Sequence, residues 1–253
     1  GGISIYCPWL VVKIIIRHCA LAADGEDAFI CVIFPLYVAI KLHRTEYSEA
    51  DYYAMVEEFK NIVNGKNGTY TFNSNAFMDT KIAEITLGKG STYVFNSCFN
   101  GSTPITKIDA SADNLNVTVN NYGFGKNTLK TLLINGKNGT YTFNSEAFRN
   151  SIFTELTLGE GSTYNFNGNC YSSTNNLQRI DASANNLTVI VANHVFNGKS
   201  AITSLDISGE NSTYTFGQEC FKNAKLTEVK FGANSTYDIG YYCFRDCSAI
   251  KTL

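Results

Sequence analysis

The sequence is short of charge, of histidine and of proline. Charged residues make up 17% of 253, and the formal net charge is −2. A nucleic-acid binder needs a concentrated basic footprint, so no nucleic-acid partner is expected. The three histidines, His18, His43 and His194, lie far apart, and no H-E-x-x-H or paired C-x-x-C occurs. No metal site and no cofactor are therefore expected. No G-x-S-x-G elbow is present, and no histidine has an evident Ser or Cys partner. Nucleophilic catalysis has no carrier, and the chain reads as a non-enzyme. Long apolar runs are also missing. WLVVKIII and AFICVIFPLYVAIKL are interrupted by Lys13, Arg17 and Pro35. Neither reaches the roughly 18–20 residues of a membrane span, so none is expected in this chain. Ala20-Leu21-Ala22 has the form of a signal-cleavage site, but Lys13, Arg17 and His18 would fall inside its apolar region.

What fills the chain instead is Asn, Ser, Thr and Gly around apolar residues, the composition of turn-rich β structure. Internal echoes show how it is organised. NGTYTFNSNAF at 67–77 returns as NGTYTFNSEAF at 138–148, and IDASADNLNVTV at 108–119 returns as IDASANNLTVIV at 180–191. Within this long period lies a short one. A small residue followed by an aromatic recurs at 76, 98, 123, 147, 170, 195, 220 and 243, in steps of 22 to 25 residues. Every third copy is most alike, as expected if a block of three was duplicated.

Each copy carries two apolar signatures. The first is L-x-x-I-x-I, as in Ile82-Ile85-Leu87 and Leu226-Val229-Phe231. The second is T-Y-x-F, as in Tyr70/Phe72 and Tyr164/Phe166, with Val117/Val119 and Val189/Val191 replacing it in two copies. Both alternate with period two, the mark of a strand with one buried face. No single copy can bury that face alone, but stacked copies can. The expected fold is a mainly β repeat solenoid, leucine-rich-repeat-like and right-handed. It has two short parallel strand ladders per coil of about 24 residues. It occupies 67–253 as eight coils, the last incomplete. Residues 1–66 are expected to form a capping region with a helix at 48–62. That helix starts at the capping box Ser48-Glu49-Ala50-Asp51. Upstream, 9–42 reads either as degenerate repeat material or as part of a small helical cap.

Cysteine follows the repeat. Of eight cysteines, Cys98, Cys170, Cys220 and Cys243 fall on the small-residue position that other copies fill with Ala76, Gly123, Ala147 and Val195. Such a site is a small apolar core site, so buried thiols are expected rather than a bridged framework.

The segment LTEVKFGANSTYDIGYYCFRDCSAIKTL at 226–253 resembles the BspA-like leucine-rich repeat family. Leu226, Val229, Phe231, Ile239, Gly240, Phe244, Cys247 and Ile250 match that pattern, with Cys243 in the place of its Ala. The other copies lack the Pro after the first strand and usually the Gly after the second. The resemblance implies a surface or secreted adhesion protein, with a protein or host-surface ligand as partner and a glycan as an alternative. Against it stand an intracellular protein–protein interaction scaffold and an accessory module of a larger protein.

The candidate binding face is the outward side of the first strand. One column runs through Glu84, Lys107, Thr131, Glu155, Arg179, Ser204 and Glu228. The other runs through Thr86, Asp109, Leu133, Thr157, Asp181, Asp206 and Lys230. Opposite charges meet on adjacent coils, either as a solvated face with weak pairs or as a recognition surface. The tyrosine column can point into the core or line a ladder edge with its hydroxyls in water. Gly123-Phe124-Gly125-Lys126-Asn127-Thr128 resembles a phosphate loop but lacks its spacing, and the repeat accounts for it. Seven N-x-[ST] sequons, at Asn67, Asn100, Asn116, Asn138, Asn186, Asn211 and Asn234, fall at expected turns.

Overall fold

A computed structural model describes Cys31–Val32 and residues 63–251, apart from 78–79, 81, 100–102, 126–127, 172–175 and 200. The helix expected at 48–62 and most of the 9–42 segment lie outside the described residues. In chain order the strands are β1 (Cys31–Val32), β2 (Thr69–Phe72), β3 (Glu84–Thr86), β4 (Thr92–Asn96), β5 (Lys107–Asp109), β6 (Asn116–Asn120), β7 (Thr131–Leu133) and β8 (Thr140–Phe143). They continue as β9 (Glu155–Thr157), β10 (Thr163–Phe166), β11 (Arg179–Asp181), β12 (Thr188–Val191), β13 (Ser204–Ile207), β14 (Thr213–Phe216), β15 (Glu228–Phe231) and β16 (Thr236–Ile239).

Alternate strands stack into two parallel ladders, which makes a mainly β solenoid. The eight T-Y-x-F strands and their valine counterparts, together with β1, form one nine-stranded sheet in the order β1-β2-β4-β6-β8-β10-β12-β14-β16. The L-x-x-I-x-I strands form the other ladder, in two pieces: β3-β5-β7 and β15-β13-β11-β9. From β2 onward every pairing joins equivalent repeat positions, such as Tyr141↔Tyr164 and Ile180↔Leu205. A slip of one residue would turn each buried column out to solvent, so the alternating pattern enforces this register.

The tyrosines point inward. Tyr70, Tyr93, Tyr141, Tyr164 and Tyr214 are all buried. They stack face to face in pairs, Tyr70 on Tyr93 at 4.9 Å, Tyr141 on Tyr164 at 4.8 Å and Tyr214 on Tyr237 at 5.2 Å. A buried phenol needs a partner for its hydroxyl. Tyr141 donates to the Ala110 carbonyl at 2.9 Å, Tyr214 to that of Ala182 at 2.6 Å and Tyr237 to that of Ile207 at 2.8 Å. Tyr93 does the same to Val63, so Val63 holds in the first described coil the place that Ala110 and Ala182 hold later. The second tyrosine of each pair also accepts a backbone N–H: Gly88 to Tyr93, Gly159 to Tyr164 and Gly232 to Tyr237.

A serine completes each pair. Ser162 donates to the Gly136 carbonyl and accepts the Gly139 amide, both at 2.9 Å. Ser91 and Ser235 make the same links in their coils. The two coils without tyrosine change all three positions together. Val117 comes with Leu115 and Ala112, and Val189 with Leu187 and Ala184. Leu115 and Leu187 are buried where the tyrosine coils carry Ser or Gly. An apolar plug thus replaces a polar network of similar volume, the kind of exchange a packed core tolerates. Two tyrosine coils and one valine coil make the three-coil period.

Turn chemistry is equally regular. The residue three before each Tyr or Val has a left-handed backbone, with φ from 53° to 72° at Asn67, Gly90, Asn114, Asn138, Gly161, Asn186, Asn211 and Asn234. Asn and Gly are the residues that adopt this conformation at least cost. A threonine opens the strand two residues later in most coils. The sequons at Asn67, Asn138, Asn186, Asn211 and Asn234 are therefore the sum of two demands of the fold. Beyond the T-Y-x-F strand runs an asparagine ladder: Asn96 donates to Asn73, Asn120 to Asn96, Asn144 to Asn120 and Asn167 to Asn144, at 2.6–3.3 Å. It stops where Ala192 and Gly217 take that position.

The cysteines at the small-residue position, Cys98, Cys170, Cys220 and Cys243, are buried thiols. The aromatic next to each small residue is Phe in seven of the eight copies and Tyr only at Tyr171. The Tyr171 hydroxyl is buried and makes no hydrogen bond among the described residues. Tyr171→Phe is expected to raise unfolding free energy by about 1 kcal/mol, because it removes an unsatisfied buried group and keeps the ring. Urea titration of the two proteins checks this, and a loss of stability would show that the hydroxyl is paired.

Candidate interaction face

The short strands of the first ladder bury their central residue and turn the two flanking ones out. Glu84, Ile85 and Thr86 are exposed, buried and exposed in turn, and Glu155, Leu156 and Thr157 repeat this. Parallel pairing then sets the outward residues in columns. Glu84, Lys107 and Thr131 are consecutive in one, and Glu155, Arg179, Ser204 and Glu228 continue it. Thr86, Asp109 and Leu133 are consecutive in the other, followed by Thr157, Asp181, Asp206 and Lys230.

Charges on this face are interlocked. Arg179 bonds Asp181 on its own strand at 2.7 Å and lies 3.4 Å from Glu155 on the preceding coil. Lys230 lies 3.3 Å from Glu228 and 3.7 Å from Asp206. Lys107 pairs with Asp109 at 3.4 Å. The hydrogen bond and charge of Asp181 push the Arg179 pKa up. Burial works to raise the Asp181 pKa, but the Ser183 hydroxyl and amide together with Arg179 outweigh it, and the net shift is downward.

Asp109 and Asp181 end their strands, and Asp206 is the last residue but one of β13. Oδ1 of Asp109, Asp181 and Asp206 accepts both the hydroxyl and the amide of the serine two residues on, at 2.5–2.6 and 3.2 Å. Their Oδ2 atoms meet Lys107, Arg179 and Lys230. Both oxygens of each carboxylate are thus engaged, and these residues build the face. The sequence signal was a recurring D-x-S, which the charge pattern alone did not bring out.

The ladder is broken at one place. β7 and β9 belong to different sheets, and a single bridge, Ile134↔Leu158, joins the two coils there. An open cleft of about 260 Å³ lies between them, lined by Lys130, Thr131, Leu132, Leu133, Asn135, Thr154, Glu155 and Thr157. The break falls at Phe153, the one aromatic at a position held elsewhere by Ile or Leu. Its ring packs edge-on against Phe148 at 5.5 Å and Tyr171 at 6.0 Å. Leu133 supplies an apolar residue where the equivalent positions carry Thr, Asp or Lys. Lys130 and Glu155 bring opposite charges to the rim.

The outward face of the second ladder has a different character. Its columns read Thr69, Thr92, Asn116, Thr140, Thr163, Thr188, Thr213, Thr236 and Thr71, Val94, Thr118, Thr142, Asn165, Ile190, Thr215, Asp238. One charge in sixteen positions leaves little for electrostatic recognition. The repeating Thr of T-Y-x-F was the signal for this face, hidden behind its tyrosine and phenylalanine. No group of His, Cys, Asp and Glu among the described residues could hold a metal ion. No helix there is long and apolar enough to cross a membrane.

Stacked coils of about 24 residues, two parallel ladders and an L-x-x-I-x-I strand in each coil define a leucine-rich-repeat solenoid. The chain belongs to the family described as BspA type leucine rich repeat region, whose model matches six copies over residues 49–145 and 117–251. No curated protein and no solved structure matches it. The family is a binding-scaffold type, used as a protein-interaction module, rather than an enzyme class.

Proposed function

We propose that the chain binds a protein through the first-ladder face, centred on the cleft between β7 and β9, and does so as part of a cell-surface or secreted adhesion protein. The observation that carries this reading is the break in the ladder. It opens an apolar Leu133 floor inside a charged rim, and an inserted side chain with polar surroundings is what such a hollow receives. The outward columns hold six carboxylates, at Glu84, Asp109, Glu155, Asp181, Asp206 and Glu228, against three cations, at Lys107, Arg179 and Lys230. The partner surface that complements this is basic, with an apolar anchor.

The test uses a partner identified by crosslinking from the cleft. The triple variant Glu155→Ala/Arg179→Ala/Asp181→Ala and the single variant Leu133→Ser are each expected to weaken binding at least tenfold. Binding of the native chain should fall as salt is raised. Unchanged affinity in both variants, with both folded, would rule out this face. A second reading, an intracellular interaction scaffold, draws on the thiols Cys98 and Cys170, which are buried and unbridged. It uses the same face, and a signal and anchor in the complete reading frame would decide against it.

A further inference from the structure

The small-residue position brings two sulfurs together at one point. Cys98 faces Gly123 in the next coil, and its thiol lies 3.7 Å from the Gly123 carbonyl. Cys170 stands between coils that carry Ala147 and Val195. Cys220 and Cys243 occupy consecutive coils, and their Sγ atoms are 3.3 Å apart. The Phe221 amide donates to the Cys243 carbonyl at 3.0 Å. The backbones are therefore spaced like paired strands, about 4.8 Å. That separation falls within the ~4.4–6.8 Å over which a disulfide spans two Cα atoms.

We propose that Cys220 and Cys243 are a modification site: they form an inter-coil disulfide on meeting a low-molecular-weight disulfide, and the bond staples the final described coil to the stack. The Cys243 thiolate attacks one sulfur of the small disulfide. Its S–S bond breaks, a mixed disulfide forms at Cys243, and one small thiolate leaves. The small thiolate expelled first takes the Cys220 proton, and the Cys220 sulfur attacks the Cys243 sulfur, expelling the second small thiolate. Two protein thiols become one disulfide, and the small disulfide is reduced to two thiols.

Local opening of a coil admits a small reagent to a buried thiol. Cys247 is the nearby competitor, with its thiol on the Phe221 carbonyl at 3.0 Å.

Trypsin separates the three sulfurs, because Lys222 and Lys230 lie between Cys220 and Cys243, and Arg245 lies between Cys243 and Cys247. The folded chain would be incubated with oxidised glutathione, its remaining thiols alkylated, and the digest read by mass spectrometry. The expected product is a peptide pair linked through Cys220 and Cys243 that reductant removes. The oxidised chain should melt several degrees above the reduced one. Cys220→Ala should remove both the link and the difference in melting, while Cys247→Ser keeps them. Ala occupies the same site at Ala76 and Ala147, so Cys220→Ala suits the fold. Recovery of Cys220 and Cys243 as separately alkylated or separately glutathionylated peptides would overturn the proposal. A link without any gain in melting temperature would overturn the stapling role.

Discussion

Tyr164→Val is expected to destabilise the solenoid by about 3–5 kcal/mol, the range for emptying a large buried aromatic site. The loss has two parts. The ring leaves a hole beside Tyr141, on which it stacks at 4.8 Å. The hydroxyl leaves the Ile134 carbonyl and the Gly159 amide, which it bonds at 2.5 and 2.8 Å, without their partner. Valine is nevertheless the native residue at Val117 and Val189, so the fold accepts it in the right company. That company includes Leu115 and Leu187, at the position Ser162 holds here. The double variant Tyr164→Val/Ser162→Leu is expected to recover at least about 1 kcal/mol relative to the single one. Contacting residues couple by that order of magnitude. Urea unfolding of the wild type, both single variants and the double variant measures the coupling. Simple additivity would mean that the two kinds of coil are not alternative packings of one site.

The second large effect is alkaline. Burial, the leading cause, holds the phenols of Tyr93, Tyr141, Tyr164 and Tyr171 well above their usual range. It pushes Tyr214 up to about 12. In the unfolded chain these groups ionise near ~10. Below that pH both states keep the proton, and the stability they allow is fully present. Above it the unfolded state releases protons that the folded state retains, so stability falls until the folded groups ionise as well. Each retained proton costs about 1.4 kcal/mol per pH unit. Four enclosed tyrosines together remove roughly 5 kcal/mol per unit, enough to exhaust a typical domain's stability within two to three units. Tyrosinate absorbance and far-ultraviolet circular dichroism should therefore change together, in one cooperative step above pH ~10. Separate, ordinary phenol titration with the sheets intact would contradict the inward-facing column.

Much of this architecture was legible because it is local and periodic. The L-x-x-I-x-I and T-Y-x-F alternations define which residues are buried, and equal spacing of copies aligned Glu84 with Lys107 and Glu155 with Arg179. The structure pairs both sets. The tyrosines were open to two readings, since a Tyr in a strand can be core or rim. Their carbonyl partners lie 30 to 32 residues away, just past a first-ladder strand of the previous coil, and no local pattern reveals them. The asparagine ladder escaped for a similar reason: a side-chain amide becomes a link only when equivalent amides stack in space. The break between β7 and β9 was the least visible feature. It coincides with Phe153, packed on Phe148 and Tyr171 in a stack that elsewhere carries Ile or Leu at that position. Yet Phe153 and Leu133 both stood out in their columns, one as the only aromatic and the other as the only outward aliphatic of its face.

The side of the solenoid that makes contact can be read directly. A photo-reactive side chain placed at Thr157, beside the cleft, can be compared with one at Thr142, on the threonine face of the second ladder. Both positions are outward on strands, so neither disturbs the core. With the chain displayed to cells of its own source, Thr157 is expected to yield a discrete crosslinked protein, abolished by Glu155→Ala/Arg179→Ala/Asp181→Ala, while Thr142 yields none. The same crosslinked protein captured from Thr142, with Thr157 silent, would place recognition on the other sheet and contradict binding through the first-ladder face.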